Sequence, residues 1–200
     1  MSQSRAFRRR VPVVFAGVAA GALVLAGCGS TDTGSSADNT NFVQGTGEIT
    51  KIPEGKRKQA PDISGTTVDG KKISLSDYKN KIVVLNVWGS WCAPCRAEAP
   101  HLAKVAEQTK DEGVQFIGIN TRDHSRTNPQ AFERRYDIQY PSFFDPDGKL
   151  ILKFPRNSLS LQAIPSTVIL DRDHKIAVRA LTALDEQQLH KALKPLIAEK

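Results

Sequence analysis

Two cysteines stand three residues apart in the stretch 88–100, WGSWCAPCRAEAP. A pair with this spacing can hold a metal, form a structural disulfide or exchange electrons. A structural zinc site needs four ligands, commonly two such pairs, and none of the four histidines stands at zinc-knuckle spacing from a second cysteine. A disulfide that closes so small a loop removes little entropy from the unfolded chain. The spacing therefore favours a redox pair, Cys92 and Cys95, and no metal site is predicted.

The surrounding residues indicate different roles for the two thiols. The apolar run 82–88 predicts a buried strand, and a helix is predicted to begin at Cys92. A thiol at a helix N-terminus faces unpaired N–H groups and the positive end of the helix dipole, which favour the thiolate. Pro94 suits the first turn, where its missing N–H would be unpaired anyway. We expect Cys92 to attack a substrate disulfide, and Cys95, one turn on and more enclosed, to resolve the mixed disulfide.

The elements that must position this pair alternate between strands and helices. Hydrophobic patterning predicts further buried strands at 114–119, 166–170 and 176–180. The helix begun at Cys92 is predicted to end at Gly113. Other predictions are a hairpin turn at Asp69-Gly70, a helix over 128–138, a type I turn at 145–148, and a last helix over 189–197 that Pro195 ends or kinks. This order predicts an α/β domain with a mixed sheet.

The N-terminal residues predict export. Residues 1–10 hold four arginines and no acid, and 11–26 are apolar, as in a secretory signal. Sixteen apolar residues fall short of the roughly 20 that span a bilayer, although an uncleaved anchor is the alternative. The sequence 25–28, Leu-Ala-Gly-Cys, resembles the bacterial lipobox, which implies cleavage before Cys28 and lipid on its thiol. The protein would then be held at the membrane by acyl chains.

Composition divides the rest of the chain. We predict a signal peptide over 1–27, a flexible tether over 28–59 and a folded domain over 60–200. Residues 29–41 are too polar to bury a core, whereas part of 42–59 is expected to pack on the domain. Beyond residue 27, 24 basic residues stand against 21 acidic ones, and 56–58 is the only basic triplet. A nucleic-acid partner would need a concentrated basic patch, so none is predicted.

The motifs together resemble the thioredoxin-like superfamily, W-C-x-P-C, and most closely its TlpA/ResA branch of membrane-tethered thiol-disulfide oxidoreductases. The resemblance covers about residues 60–198. It is carried by Ala60-Pro61-Asp62, the hairpin before Leu75, the run 86–100 (N-x-W-x-x-W-C-x-P-C-R-x-E-x-P) and Ile164-Pro165-Ser166-Thr167. It implies a thioredoxin-like α/β fold: a central mixed β-sheet flanked by helices, with an N-terminal β-hairpin and a central insertion. The only redox group implied is the Cys92–Cys95 disulfide, with no further cofactor.

The same resemblance implies a substrate-binding surface around Cys92. Pro165 matches the cis-proline that faces the cysteines and aligns the incoming chain, together with Ile164. Trp91, beside Cys92, is expected to shield the thiol or touch substrate. The dipeptide between the cysteines completes the predicted substrate contacts, Ala93 and Pro94.

Glu98 matches the acid of the branch motif C-x-x-C-x-x-E-x-P. It follows Cys95 by three residues, which places both on one helix face. A half-buried glutamate with a raised pKa could take the proton of Cys95. Asn86 stands where ordinary thioredoxins place a buried acid, which makes Glu98 the expected proton handler. In the turn 171–175 the family's usual glycine is missing, and His174 is expected to adopt the left-handed conformation without a catalytic role.

The resemblance implies an extracytoplasmic dithiol reductant of partner-protein disulfides, with an integral membrane protein as electron donor. The partner implied in this branch is often apocytochrome c. Three alternative functions remain for a cysteine pair of this kind. An oxidant or isomerase of secreted proteins would use the same residues. A peroxidase would need Thr or Ser three residues before the reactive cysteine, and Gly89 stands there. A copper chaperone would suit soft thiolates, but the C-x-x-C spacing, Trp91 and Pro165 argue against it.

Overall fold

A computed structural model of the chain describes residues 49–156 and 158–199. Within them, a mixed sheet has the strand order β1-β8-β7-β4-β5-β6, and β2 and β3 form a separate hairpin. The predicted α/β class with a mixed sheet is therefore confirmed. The strands are β1 Ile49–Lys51, β2 Ser64–Thr66, β3 Lys72–Ser74, β4 Ile82–Trp88, β5 Val114–Asn120, β6 Ser142–Phe144, β7 Ser166–Leu170 and β8 Ile176–Ala180; the helices are α1 Ala93–Thr109, α2 Thr127–Arg135 and α3 Glu186–Ala198.

Strand β4 lies at the centre of the sheet and is buried along its whole length. It pairs in parallel with β5 and antiparallel with β7. Because successive side chains point to opposite faces of a strand, β4 supplies two cores. Ile82 and Val84 pack with apolar residues of α1 and α3, whereas Val83, Leu85 and Val87 face the hairpin side and the segment 150–159. The chain leaves β4 at Trp88 and reaches the cysteines four residues later.

The turns largely follow the sequence predictions. Gly70 has a φ of 91° in the β2–β3 hairpin, and the N–H of Gly148 donates to Asp145 O at 3.0 Å in the turn 145–148. Gly113, with a φ of 79°, ends the segment that follows α1. His174 has a φ of 59°, as expected, and its ring Nε2 lies 3.0 Å from Tyr78 O.

Two helix ends differ from the predictions. Helix α2 ends at Arg135 rather than near residue 138. The reason is Asp137, whose φ of 53° is left-handed, a conformation that aspartate tolerates but a helix cannot continue through. Pro195 lies inside α3, which continues to Ala198. Between β5 and β7 the chain forms α2, β6 and connecting turns, and this segment corresponds to the predicted central insertion.

The segment 49–59 begins with the edge strand of the sheet. Strand β1 pairs antiparallel with β8, and the N–H of Ile52 donates to Ala177 O at 2.8 Å. The guanidinium of Arg57 bridges two carboxylates, with Nη1 3.0 Å from Asp171 Oδ2 and 2.7 Å from Glu199 Oε2. This part of the predicted tether therefore packs on the domain, as was expected for some of 42–59.

The predictions made for residues 1–48 concern a part of the chain that the structure does not describe. The signal over 1–27, the lipidation site Cys28 and the tether before residue 49 lie outside the described residues. In the part of the chain that the structure describes, no helix is long and apolar enough to cross a membrane.

Candidate active site

Cys92 and Cys95 are joined by a disulfide at the start of α1, with their Cα atoms 5.3 Å apart. Cys92 is the N-cap residue, and its Sγ accepts the N–H of Cys95 at 3.2 Å. Pro94 occupies the first turn, as its missing N–H allows. Both sulfurs are nearly enclosed, since Cys92 is 3% exposed and Cys95 1%. The predicted difference in enclosure is thus small while the disulfide is closed.

The surroundings of Cys92 favour a thiolate once the disulfide is reduced. The first turn of α1 holds no acidic residue, so the positive end of the helix dipole is not cancelled there. A Cys92 thiolate could accept the same Cys95 N–H that the sulfur accepts now. Charge-assisted hydrogen bonds of this kind lower the pKa of a thiol at a helix N-terminus. The geometry therefore suits Cys92 to nucleophilic attack.

The peptide bond between Ile164 and Pro165 is cis, as the resemblance implied. The carbonyl oxygen of Ile164 lies 3.7 Å from Cys92 Sγ. Trp91, the residue before Cys92, is 45% exposed, whereas Trp88 is buried in the same apolar cluster as the two cysteines. The structure thus brings Ile164 and Pro165 of the chain before β7 next to the cysteine loop. The remaining predicted substrate contacts, Ala93 and Pro94, are exposed on the first turn of α1.

Glu98 is 2% exposed although it carries an ionisable group. Its Oε1 accepts a hydrogen bond from Asn86 Nδ2 at 2.8 Å, and its Oε2 accepts the N–H of Leu184 at 3.0 Å. Burial raises the pKa of Glu98 from its usual 4.5 to about 7, because the removal of water penalises the carboxylate more than the two donors stabilise it. A carboxyl one turn after Cys95 that titrates near neutrality can accept or return a proton during exchange.

Asp123 is a site residue that sequence reasoning missed. It is 5% exposed and follows the end of β5. Its Oδ1 accepts Ser90 Oγ–H at 2.5 Å, and its Oδ2 accepts the N–H of Ser90 at 2.9 Å and Asn120 Nδ2 at 2.7 Å. The loop that presents Trp91 and Cys92 is therefore fixed to the end of β5. The role of Asp123 could have been predicted from the topology. Polar residues that follow the ends of neighbouring parallel strands lie close together, and Ser90 and Asp123 follow β4 and β5.

Aromatic side chains form the floor of the site. Trp88 stacks on Phe132 of α2, with ring centroids 4.4 Å apart, and Phe132 contacts Tyr136 at 4.7 Å. Cys95 and Ala99 belong to the same buried cluster. Helix α2 of the insertion thus packs beneath the disulfide. Among the described residues, no group of three or more His, Cys, Asp or Glu side chains is placed to hold a metal ion.

Comparison with known proteins identifies chains of similar sequence and fold. The AhpC/TSA family matches residues 57–179. The thiol-disulfide oxidoreductase ResA of Bacillus thuringiensis subsp. konkukian is 31% identical over 139 residues, which cover 70% of this chain and 77% of that protein. A DsbF homologue from Corynebacterium diphtheriae is 36% identical with a TM-score of 0.71, covering 78% of this chain and 98% of its own. A secreted thiol-disulfide isomerase from Corynebacterium glutamicum is 33% identical with a TM-score of 0.73, covering 80% and 99%.

Proposed function

Because this chain belongs to the AhpC/TSA family of thioredoxin-like proteins and is a thiol-disulfide oxidoreductase of the ResA type, we propose that it acts outside the cytoplasm as a dithiol reductant of disulfides in partner proteins. The predicted family, thioredoxin-like fold and enzyme class are confirmed. The residue roles, the direction of electron flow and the partners are the substance of the proposal.

The observation that carries the proposal is the position of Cys92. Its sulfur caps α1 and is 3.7 Å from the carbonyl before the cis-proline, and the residue before it, Trp91, is exposed. An extended partner segment can lie between Trp91 and Ile164-Pro165 and bring a disulfide to Cys92. Ala93 and Pro94 would border the same segment, because they are exposed on the adjoining turn.

The proposed reaction transfers two electrons to the partner. The Cys92 thiolate attacks one sulfur of the partner disulfide, and the other partner sulfur leaves as a thiolate that takes a proton. The Cys95 thiol then gives its proton to Glu98 and attacks the Cys92 sulfur. This step closes the Cys92–Cys95 disulfide and releases the second partner sulfur as a thiolate, which takes a proton from water. The protein dithiol is oxidised, and the partner disulfide is reduced to two thiols.

Trapping experiments test these roles. Cys92→Ser is expected to abolish reduction of a partner disulfide, whereas Cys95→Ser is expected to accumulate the mixed disulfide between Cys92 and the partner. Non-reducing electrophoresis and mass spectrometry would identify that adduct. Equal activity of the wild type and Cys92→Ser would contradict the assignment.

The direction of the reaction has a second candidate. A relative at 33% identity is called a thiol-disulfide isomerase, and an oxidant or isomerase would use the same cysteines. We would equilibrate the chain from residue 28, carrying Cys28→Ser, in glutathione or dithiothreitol buffers. A reduction potential near roughly −270 mV is expected for a reductant, and one near roughly −120 mV would instead indicate an oxidant. Failure to form any disulfide would favour the copper-binding alternative.

The location proposed is the outer side of the cytoplasmic membrane, with lipid on Cys28. The signal-like residues 1–27 and the lipobox-like residues 25–28 support it, and one relative is described as secreted. Apocytochrome c, as the partner, and an integral-membrane electron donor belong to the same proposal. Cys28→Ala is expected to release the protein from membranes. Retention of that variant would support an uncleaved anchor.

A further inference from the structure

Two arginines lie close to the loop that carries Trp91. Arg96 donates from Nη1 to the carbonyl oxygen of Ser90 at 2.8 Å, and Arg122 places its Cζ 5.7 Å from the centre of the Trp91 ring. Both side chains belong to exposed residues. Within residues 49–156 and 158–199, neither guanidinium forms an ion pair. Each therefore keeps an uncompensated positive charge next to the residue that precedes Cys92.

Arg122 is held in place from several sides. Its backbone φ of 59° is left-handed, and its Nη2 donates to Leu161 O at 2.7 Å. Leu161 lies in the segment that leads to the cis peptide bond of Pro165. The guanidinium thus connects the loop after β5, the face of Trp91 and the approach to Pro165. A charge fixed in this way loses little further rotamer freedom when it meets a ligand.

The two chain segments on either side of the Cys92–Ile164 contact carry no carboxylate. Residues 89–97 and 159–165 contain no aspartate or glutamate. The nearby acids Asp123 and Glu98 are buried, and the oxygens of both already accept hydrogen bonds. Asp147 is exposed and lies next to Pro146, whose carbonyl accepts the N–H of Arg122, but its carboxylate is paired with Lys149. The N-terminus of α1 adds its own partial positive charge. The exposed surface formed by Trp91, Arg96 and Arg122 is therefore cationic.

We propose that this surface selects partner segments in which acidic residues flank the disulfide cysteine. The apolar face of Trp91 would contact the segment, and Arg96 and Arg122 would each face a carboxylate, a pairing that guanidinium geometry suits. The proposal names the substrate class of the site described above and so depends on the proposed function.

Peptides with one intramolecular disulfide test the proposal. Three peptides would differ only at the residues that flank one cysteine: aspartate, asparagine or lysine. The reduced protein gives two electrons and two protons to the peptide disulfide, which yields the oxidised protein and the peptide dithiol. Acid-quenched chromatography at 20 mM and 500 mM salt would give the second-order rate constants. At low salt we expect each acidic residue to speed exchange about threefold over asparagine, and lysine to slow it about threefold. High salt should remove most of both effects.

The variants Arg96→Gln and Arg122→Gln, singly and together, assign the effect to these residues. They also weaken thiolate stabilisation at Cys92, which slows all three peptides alike, so the informative quantity is the ratio of the aspartate rate to the lysine rate. That ratio should fall toward one in the double variant. Arg135→Gln is the matched control, since Arg135 is also exposed and lies 5.8 Å from a ring, that of Tyr136 on α2. It should leave the ratio unchanged.

Each outcome decides the question. Equal rates for the three peptides at low salt would overturn the inference and leave the proposed function standing. A preference for aspartate that survives in the double variant would overturn the assignment to Arg96 and Arg122. Absence of exchange with every peptide would overturn the proposed function, and the inference with it.

Discussion

The buried carboxyl of Glu98 predicts a pH-dependent stability that Glu98→Gln should remove. Its pKa is about 7 in the folded protein against 4.5 for a solvated glutamate. Between these pH values the unfolded chain ionises Glu98 while the folded protein keeps it protonated. The folded state then binds more protons, so the free energy of unfolding falls as pH rises. The stabilisation is full below pH 4.5 and lost above about pH 7.

Each pKa unit corresponds to about 1.4 kcal/mol, so the loss for Glu98 amounts to about 3 kcal/mol. Glutamine cannot ionise, and its fixed packing cost is the same at every pH. The difference in unfolding free energy, variant minus wild type, should therefore grow by about 3 kcal/mol between pH 4.5 and pH 8. Other titrating groups, including Glu133, whose pKa burial also raises to about 7, are present in both proteins and cancel.

Urea unfolding of the disulfide form at half-unit pH steps measures this difference. The matched control is Glu107→Gln, because Glu107 lies on the exposed side of the same helix. For that variant the difference should change by less than about 0.5 kcal/mol over the same range. Parallel wild-type and Glu98→Gln curves would refute the reasoning, since Glu98 would then ionise equally well in the folded and unfolded chain.

Three further predictions concern the frame around the site. Arg57→Met should lower the free energy of unfolding by about 2 kcal/mol, because it leaves the largely buried carboxylate of Asp171 without its cation; Lys71→Met, at an exposed pair, should cost less than about 0.5 kcal/mol in the same urea titration. Asp123→Asn should lower the free energy of unfolding by about 1 to 2 kcal/mol and alter the alkylation rate of reduced Cys92, because an amide nitrogen would face the Ser90 donors. An unchanged alkylation rate would mean that the loop is held without Asp123. Gly118→Ala should lower the free energy of unfolding by about 1 to 3 kcal/mol, because the new Cβ would lie 2.3 Å from Ser142 Oγ and 2.6 Å from Trp88 Nε1. Gly55→Ala, where the new Cβ has nothing within 4 Å, is its control in thermal unfolding.

Sequence patterning predicted the elements that are long or that begin or end at turn and capping residues. β4 is a continuous apolar run because both of its faces are buried. Helix α1 follows its N-cap residue Cys92, as the proline in its first turn indicated. Strand β1 escaped notice because three residues show no periodicity, and its pairing with β8 depends on a partner about 130 positions away.

Within the site, too, local motifs could be predicted from the sequence and contacts between distant residues could not. The cysteines and the cis-proline belong to local motifs that can be read from the chain. The burial of Glu98 depends on an N–H from Leu184, and the role of Asp123 depends on Ser90 of another loop. Neither contact has a signature in local sequence, because each exists only after the sheet has formed.

The register of β1 determines where residue 49 lies relative to the active site. Ile49 pairs with Ala180, Ala180 with Thr167, and Thr167 with Asn86, so the first residue of β1 stands level with the active-site end of β4. Three strand spacings separate them, about 14 Å. Whatever precedes residue 49 therefore joins the domain at the end where the reactive sulfur lies. A partner that can approach residue 49 is therefore already close to Cys92.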